Sequence, residues 1–235
     1  MTLATPLDPH AHALTLAGEG LEARRTGALW WPSRRWLIVS DLHLGKSERI
    51  ARRGGTLLPP YETAETLGRL ADEAAALRPE AVICLGDSFD DLDAEAGLPP
   101  EEAERIAALA AGRRWIWIAG NHDPGPLSLP GEHRSDLREG ALVFRHEALA
   151  DGRPEAEAGI AEISGHFHPK ARVVAGGRRI ARPCFVATAQ RLILPAFGAY
   201  TGGLDARAPA LERLAPEGLA LLTGRRVLAL PLASL

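Results

Sequence analysis

The chain has 235 residues, which is enough for one substantial hydrophobic core, and we expect a single domain over residues 1–235. Hydrophobic residues make up 46% of the chain and charged residues 24%, and no apolar run approaches the roughly 20 residues that a membrane span requires. The formal net charge of −3 gives no overall electrostatic case for nucleic-acid binding.

The N-terminal segment lacks a basic stretch followed by an apolar core, so no secretory signal is expected. Two cysteines, Cys84 and Cys184, lie far apart in apolar surroundings and are predicted to be free thiols rather than a disulfide. Both features favour a cytoplasmic protein with no membrane association.

The first half of the chain predicts a hairpin followed by a parallel sheet. Residues 14–31 read as a hairpin, and beyond them buried strands alternate with helical segments. The strands are expected at 36–40, 81–85 and 115–119. Between the first two, one helical face contains Leu67, Leu70, Ala74 and Leu77, and Pro79 ends the helix. A second helix is expected over 99–112, with Gly112 as its stop.

The second half predicts mainly short strands. A hairpin is expected within 172–186, with Gly176 and Gly177 as its turn, and 147–158 reads as a polar loop. Other strand-like runs occupy 141–145, 160–164, 191–194, 218–222 and 226–230. The expected fold class is an α/β sandwich of two mixed β-sheets face to face, flanked by helices.

Polar residues follow each predicted parallel strand. The segment "SDLHLGK" carries Asp41 and His43, "GDSFDD" carries Asp87, and "GNHDPG" carries Asn121 and His122. All of these residues are expected at one edge of the sheet. Ligands bind at that edge in open α/β sheets. Each fragment alone has an ordinary explanation as a turn, a helix cap or a core histidine, but their ordered co-occurrence is a strong signal.

Three later histidines follow further apolar runs. His146 lies after "ALVF", and His166 and His168 alternate on an extended segment, so that one can face each of two adjacent metal ions. His133 competes with His146 but sits in a polar turn. Oxygen and imidazole donors without a thiolate suit Mn²⁺, Fe²⁺ or Zn²⁺.

The order D-x-H, G-D, G-N-H-D, H, G-H-x-H-P resembles that of the calcineurin-like binuclear metallophosphoesterases. The resemblance implies their four-layer sandwich and two divalent ions. It assigns the first ion to Asp41, His43 and His168, and the second to Asn121, His146 and His166, with Asp87 bridging. Two such ions and two carboxylates leave the site ready for a phosphate oxyanion, and a metal-bridging hydroxide is expected to attack it.

The resemblance also implies roles for His122 and Asp90. His122 is the candidate general acid, and the Asp90 carboxylate is expected to orient its imidazole and keep it protonated. The alternative for Asp90 is a charge at a helix N-terminus, whereas Asp91 and Asp93 read as caps or exposed residues.

A narrower resemblance covers nearly the full length. The segments "SDLHLGK", "SGHFHPK" and "LILPAFGAYTGG" look like the ligase-associated DNA damage response endonuclease/phosphodiesterase family (PdeM). That family implies a Mn²⁺-dependent phosphodiesterase cutting single-stranded DNA, in association with a repair helicase, an exonuclease and a DNA ligase. Asp90 stands where members usually have histidine. A carboxylate there could repel a phosphodiester or act through His122.

Candidate phosphate contacts surround the motifs: Lys46, Arg52, Arg53 and Lys170, with Arg172 as a further option. The aromatic residues available for base stacking are Tyr61, Phe89, Phe167 and Tyr200, of which Phe89 and Phe167 are expected in the core. Two alternatives to a DNA endonuclease stay open. One is a phosphatase or phosphodiesterase for a small nucleotide or phosphoprotein, and the other is a non-catalytic, metal-stabilised repair scaffold.

Overall fold

The computed structural model describes residues 8–52, 54, 61–149 and 159–235, in which two β-sheets pack face to face. The first sheet has the strand order β1-β2-β3-β4-β5-β6-β7, antiparallel as far as β4 and parallel from β4 to β7. Its described strands are β1 (His12–Leu16), β2 (Glu19–Ala23), β3 (Leu29–Trp31), β4 (Trp36–Val39), β5 (Ala81–Leu85), β6 (Arg114–Ile118) and β7 (Glu132–Arg134).

The second sheet is also mixed, with the order β15-β14-β12-β13-β10-β9-β8. Strand β10 runs parallel to β9 and β13, the other pairs are antiparallel, and β11 forms a hairpin with β12. The described strands are β8 (Asp136–Glu139), β9 (Leu142–Arg145), β10 (Ala161–Ser164), β11 (Lys170–Ala175), β12 (Arg178–Ala187), β13 (Arg191–Ile193), β14 (Leu219–Leu222) and β15 (Leu228–Pro231).

The helices of the described residues are α1 (Lys46–Arg52), α2 (Glu62–Leu77), α3 (Leu92–Ala96), α4 (Pro100–Ala110) and α5 (Pro209–Leu214), with a 3₁₀ turn at Leu232–Ser234. The predicted apolar face of α2 is buried. The helix ends at Leu77, and its C-cap Arg78 adopts the left-handed conformation (φ 48°) directly before Pro79. Among these helices none combines the length and the apolar character that a bilayer crossing requires.

Three hydrophobic clusters hold the layers together. One lies between the sheets and includes Ile83 and Phe185. A second packs the outer face of the first sheet on α2 and α4, and a third packs the second sheet on α5. Since β4 and β5 are buried on both faces, they are continuous apolar runs without alternation. The predicted four-layer sandwich is confirmed, whereas the single domain over 1–235 stays a prediction.

The expected strands and the two longer helices are present, including the hairpin turn at Gly176 and Gly177, both at positive φ. Sequence patterns did not indicate α1, α3 and α5, because helices of five to seven residues are too short to show a period. They did not indicate β7 and β8 either, because the sequences of these strands, EHR and DLRE, are almost wholly polar. The predicted loop at 147–158 lies outside the described residues from position 150 onward.

Both cysteines are free and buried, as predicted. Burial raises the pKa of the Cys184 thiol to about 12 and raises the pKa of Cys84 well above its ordinary value. We therefore expect iodoacetamide at pH 8 to leave both thiols unmodified in the native protein and to modify both after unfolding, because thiolate is the reactive form. Mass spectrometry of the alkylated chain checks this, and rapid labelling of the native protein would contradict it.

Candidate metal centre

Parallel strands β4, β5 and β6 end at one edge, and their polar residues meet there. The loops after β4 and β5 are tied together by main-chain hydrogen bonds, from Asp41 N to Gly86 O (3.2 Å) and from His43 N to Asp87 O (2.9 Å). From the facing sheet, β9 leads to His146 and β10 to the two later histidines. Residues from both sheets thus line one site.

The first ligand group contains Asp41, His43 and His168, whose candidate ligand atoms all lie within 4.8 Å of one another. His168 Nε2 lies 3.2 Å from Asp41 Oδ1 and 3.3 Å from His43 Nε2. Two imidazole nitrogens this close repel if neither carries a proton, and a cation between them removes the repulsion.

The second ligand group contains Asp87, His146 and His166, with Asn121 beside them. Asn121 Oδ1 lies 2.9 Å from both His146 Nε2 and His166 Nδ1, and Asp87 Oδ2 lies 3.3 Å from His146 Nε2. The main-chain N–H of His166 donates to the carboxylate of Asp41 at 3.0 Å, so the two groups adjoin. The structure places His166 and His168 in different groups, and their assignment to two separate ions stays a prediction.

The ring orientations fit a metal-binding role. His43 Nδ1 donates to the Asp90 carboxylate at 2.8 Å, and His146 Nδ1 donates to the carbonyl of Leu85 at 2.9 Å. With Nδ1 protonated in this way, each Nε2 can present its lone pair to the cluster. The donor set of carboxylates, imidazoles and one amide oxygen fits two divalent ions.

The charge of the site also favours cations. Burial opposes ionisation of Asp87, but its hydrogen bond and charge interaction with His146 lower the pKa of Asp87 to about 2. Burial likewise disfavours charge on His146, yet Asp87 and Asp41 raise its pKa to about 9. The negative field that holds this proton also attracts a metal ion, which takes the place of the proton when it binds.

The backbone is held in a sparsely populated conformation at most of these positions, which costs on the order of 1–3 kcal/mol each and is typical of functional sites. The left-handed φ angles belong to Asp41 (52°), His43 (45°), Asp87 (45°), His166 (70°) and His168 (46°).

Two glycines allow the loops to approach. A Cβ on Gly86 would lie 2.5 Å from His146 Nδ1, and a Cβ on Gly165 would lie 1.7 Å from Ser40 Oγ. A side chain at either position would push apart the strand ends that carry the ligand groups.

The predicted contact between the Asp90 carboxylate and His122 is corrected by the structure. His122 Nδ1 lies 2.8 Å from the main-chain carbonyl of Asp90, whereas the carboxylate contacts His43 and forms an ion pair with Arg49. Burial opposes its charge, but His43, Lys46 and Arg49 together lower the pKa of Asp90 to about 2. Asp90 therefore positions His43, and Asp91 is the N-cap of α3.

The residues predicted to contact phosphate differ in the partners of their side chains. Lys46 Nζ lies 3.8 Å from Asp90 Oδ1, and Lys170 Nζ donates to the carbonyl of Thr201 at 3.0 Å. The side chain of Arg52 and all of Arg53 lie outside the described residues.

His133 is not part of either ligand group, since its Nδ1 accepts from Leu127 N at 3.2 Å. Among the aromatic candidates Phe89 is fully buried and Phe167 packs against a hydrophobic cluster, as expected. Tyr61 and Tyr200 are exposed.

The sequence interpretation missed Asp123 and Arg49. Asp123 is buried, and its carboxylate accepts main-chain N–H groups of Asp87 (2.9 Å), Ser88 (2.8 Å), Phe89 (3.2 Å) and Gly120 (3.0 Å). It thereby fixes the loop that presents Asp87. The available signal was its place directly after Gly-Asn-His in "GNHDPG". For Arg49 the signal was its spacing of three residues from Lys46 on α1.

Comparisons with known proteins found a matching family and similar solved structures. The model of the calcineurin-like phosphoesterase family matches residues 34–189. Among solved structures the chain is similar to nuclease MPE of Pseudomonas putida, with 28% identity and a TM-score of 0.70 over 94% of this chain and 100% of that chain. It is also similar to Yfce, a phosphoesterase from E. coli, with 13% identity and a TM-score of 0.39 over 79% of this chain and 87% of that chain. No curated protein matches significantly.

The family match covers more than half of the chain and includes the segments that carry Asp41, Asp87 and Asn121. The sandwich fold agrees with it, and the two adjoining ligand groups suit the binuclear metal centre that this family binds. The chain therefore belongs to the calcineurin-like phosphoesterase family and is a metal-dependent hydrolase of phosphoesters.

Proposed function

We propose that this phosphoesterase is a phosphodiesterase that cuts single-stranded DNA within the strand. The observation that carries the proposal is the pair of adjoining ligand groups with the half-buried imidazole of His122 beside them. The likeness to a nuclease over nearly the whole of both chains supports a nucleic-acid substrate.

In this proposal Asp41, His43 and His168 would hold one ion, and Asn121, His146 and His166 would hold the other. Asp87 would be shared between the two. Mn²⁺ is the preferred ion for these oxygen and imidazole donors, with Fe²⁺ or Zn²⁺ as alternatives. When bound, the ions supply an activated water and stabilise the negative charge that develops on the phosphate.

Residues of the chain orient the candidate metal ligands and donate a proton to the leaving group. Asp90 holds His43 and the Leu85 carbonyl holds His146, so neither ring can turn away. His122 donates its Nδ1–H to the Asp90 carbonyl, which leaves Nε2 on the side of Asp87 Oδ2, 4.0 Å away. From there a protonated Nε2 delivers its proton to the departing oxygen.

The surroundings of Asp90 favour DNA over the alternative of a small phosphoester. A free carboxylate at this position would repel a strand of phosphates. The Asp90 side chain is instead fully buried and paired with Arg49, so its charge is neutralised. The complete ligand set argues against a non-catalytic scaffold. A role in DNA repair beside a helicase, an exonuclease and a DNA ligase stays a prediction, as does a cytoplasmic location.

The test uses metal-stripped protein with and without Mn²⁺, on circular single-stranded DNA and on an activated aryl phosphodiester. Mn²⁺-dependent cutting of both substrates is the expected result, since circles have no ends and only an endonuclease opens them. Hydrolysis of the aryl diester with intact circles would favour the small-substrate alternative. No hydrolysis of either would contradict the proposal as a whole.

The variant His122→Ala separates leaving-group chemistry from metal binding. We expect kcat/KM for DNA to fall by about 10²–10⁴-fold, because the departing sugar oxygen needs a proton. The aryl diester should lose much less, since its leaving group departs as a stable anion. Metal content should match that of the wild type, and His133→Ala is the matched histidine control. An equal loss on both substrates would argue against the general-acid role.

A further inference from the structure

A second polar cavity adjoins the metal centre, and the proposed chemistry does not use it. It has a volume of about 490 Å³ and lies between α2, the turn after β2, the base of the β11–β12 hairpin and the segment 196–201. We call it the flanking cavity. Its charged lining residues are Arg25, Glu65, Arg69, Lys170 and Arg182.

The charge of the flanking cavity is opposite to that of the chain. Four cations and one carboxylate leave its lining at a formal +3, while the whole chain carries −3. Within the described residues none of the four cations lies in an ion pair with a carboxylate. Positive charge collected in a concave surface attracts and retains anions.

The positive charge of Arg69 is fixed in position by contacts of its guanidinium group. Its Nη2 donates to the carbonyl of Phe197, its guanidinium lies 5.0 Å from the centre of the Phe197 ring, and its Nε is buried without a described partner. Burial lowers the pKa of Arg69, and the charge of Glu65 offsets this only in part. An anion in the cavity would relieve the cost of a cation kept partly from water.

The flanking cavity shares a wall with the metal centre. Gly198, which lines the cavity, donates its N–H to the main-chain oxygen of Asp41 at 3.0 Å. A Cβ at Gly198 would lie 2.1 Å from the carbonyl oxygen of Leu42, so the two segments are in direct contact. On the other side Lys170 follows His168 by two residues, a reach of roughly 7 Å in an extended chain.

An aromatic side chain is exposed in the lining of this cavity. Tyr200 is 44% exposed, and it is held in the left-handed conformation at φ 58°. An exposed aromatic ring beside bound phosphates can stack on an unpaired base, which a duplex does not offer. The volume of the cavity falls within the range of small-ligand sites and can take one nucleotide unit.

We propose that the flanking cavity binds the phosphate next to the scissile one, with Tyr200 stacked on the adjoining base of a single strand. This inference rests on the proposed function, because it names the path of the strand that the metal centre cuts. It assigns Arg25, Arg69 and Arg182 to substrate binding, in addition to Lys170.

The test compares the double variant R25Q/R182Q, whose two arginines are exposed, with the matched control R34Q/R105Q. The control removes the same charge from arginines paired with Glu139 and Glu102, outside the cavity. Binding of a fluorescent oligothymidine is measured by anisotropy in EDTA across a range of salt. Because the two arginines are proposed to contact one phosphate, their loss should flatten the plot of log affinity against log salt by about 0.7 for R25Q/R182Q and leave it unchanged for the control.

Kinetics with Mn²⁺ provide the second measurement. The ratio of kcat/KM for single-stranded DNA to that for an aryl phosphodiester should fall about tenfold in R25Q/R182Q and stay at the wild-type value in R34Q/R105Q. Tyr200→Ala should weaken oligothymidine binding by about fivefold or more. The inference would be overturned if R25Q/R182Q kept both the salt slope of the wild type and its ratio of kcat/KM values. It would also be overturned if the wild-type protein did not bind the oligonucleotide. Failure of the wild type to hydrolyse the aryl diester would instead count against the proposed function.

Discussion

Replacing Asp87 with alanine is expected to abolish metal-dependent hydrolysis of every phosphodiester substrate. Asp87 Oδ2 lies 3.3 Å from His146 Nε2, and Oδ1 accepts the main-chain N–H of His122 at 2.9 Å. The substitution removes one of the two carboxylates proposed to hold the metal ions and also releases the segment that carries the proposed general acid. The loss should exceed the roughly 10²–10³-fold that removal of a single transition-state donor costs.

Elemental analysis of the purified variant, together with assays on the aryl diester and on circular DNA, checks this expectation. Asp87→Asn is the informative companion, because it keeps an oxygen for the His122 N–H but removes the charge. Both variants should bind less metal than the wild type, and both should be inactive. Asp72→Ala, which removes an exposed carboxylate on α2, is the control for a change of charge alone. Full activity of Asp87→Ala would refute the binuclear assignment.

Replacing Asp123 with alanine should cost about 3–5 kcal/mol of the free energy of unfolding, a large effect for one residue. Its carboxylate accepts four main-chain N–H groups, three of which belong to consecutive residues of the loop that begins with Asp87. Alanine leaves these buried donors without their acceptor. Activity should fall as well, because the loop no longer holds Asp87 in its left-handed conformation.

Urea unfolding of metal-stripped protein at pH 7.5 measures the loss, and Asp72→Ala should stay within about 0.5 kcal/mol of the wild type. An Asp123→Ala protein as stable as the wild type would show that water replaces the carboxylate at no cost. Such a result would remove the structural role assigned here to Asp123.

The pH dependence gives an independent check on Asp123. Burial raises its pKa to about 6, although the N–H groups favour the charged form. The ordinary pKa of an aspartic acid is about 3.9. Between about pH 4 and pH 6, Asp123 is therefore protonated in the native protein and ionised in the unfolded chain. The stabilisation from that proton is complete below about pH 4 and is lost as the pH rises through about 6. The difference in unfolding free energy between wild type and Asp123→Ala should therefore narrow across this interval.

The correction at Asp90 changes what its presence means for the substrate. An unpaired Asp90 carboxylate near the mouth of the site would repel phosphates and would argue against a DNA substrate. With its side chain buried against His43 and paired with Arg49, it acts on a candidate metal ligand, and its charge is neutralised. The flanking cavity adds positive charge beside the site, where Gly198 contacts the main chain of Asp41.

Much of this protein was determined by local sequence. Runs such as "WLIV" and "AVICL" are buried strands because every residue in them is apolar, and parallel strands deliver the residues at their ends to one edge. The candidate ligands Asp41, Asp87 and Asn121, and the later histidines, could therefore be named in advance. The helical face of α2 and the glycine turn of the β11–β12 hairpin are equally local.

Only the tertiary structure decided which atoms meet. The partner of the Asp90 carboxylate and the four N–H groups that donate to Asp123 depend on how the loops after β4, β5 and β6 pack. The flanking cavity joins positions as distant as Arg25 and Arg182, which no local pattern connects. The physical reason is that hydrophobic periodicity specifies which face of an element is buried, whereas hydrogen bonds and charge neutralisation between elements depend on distances that exist only after packing.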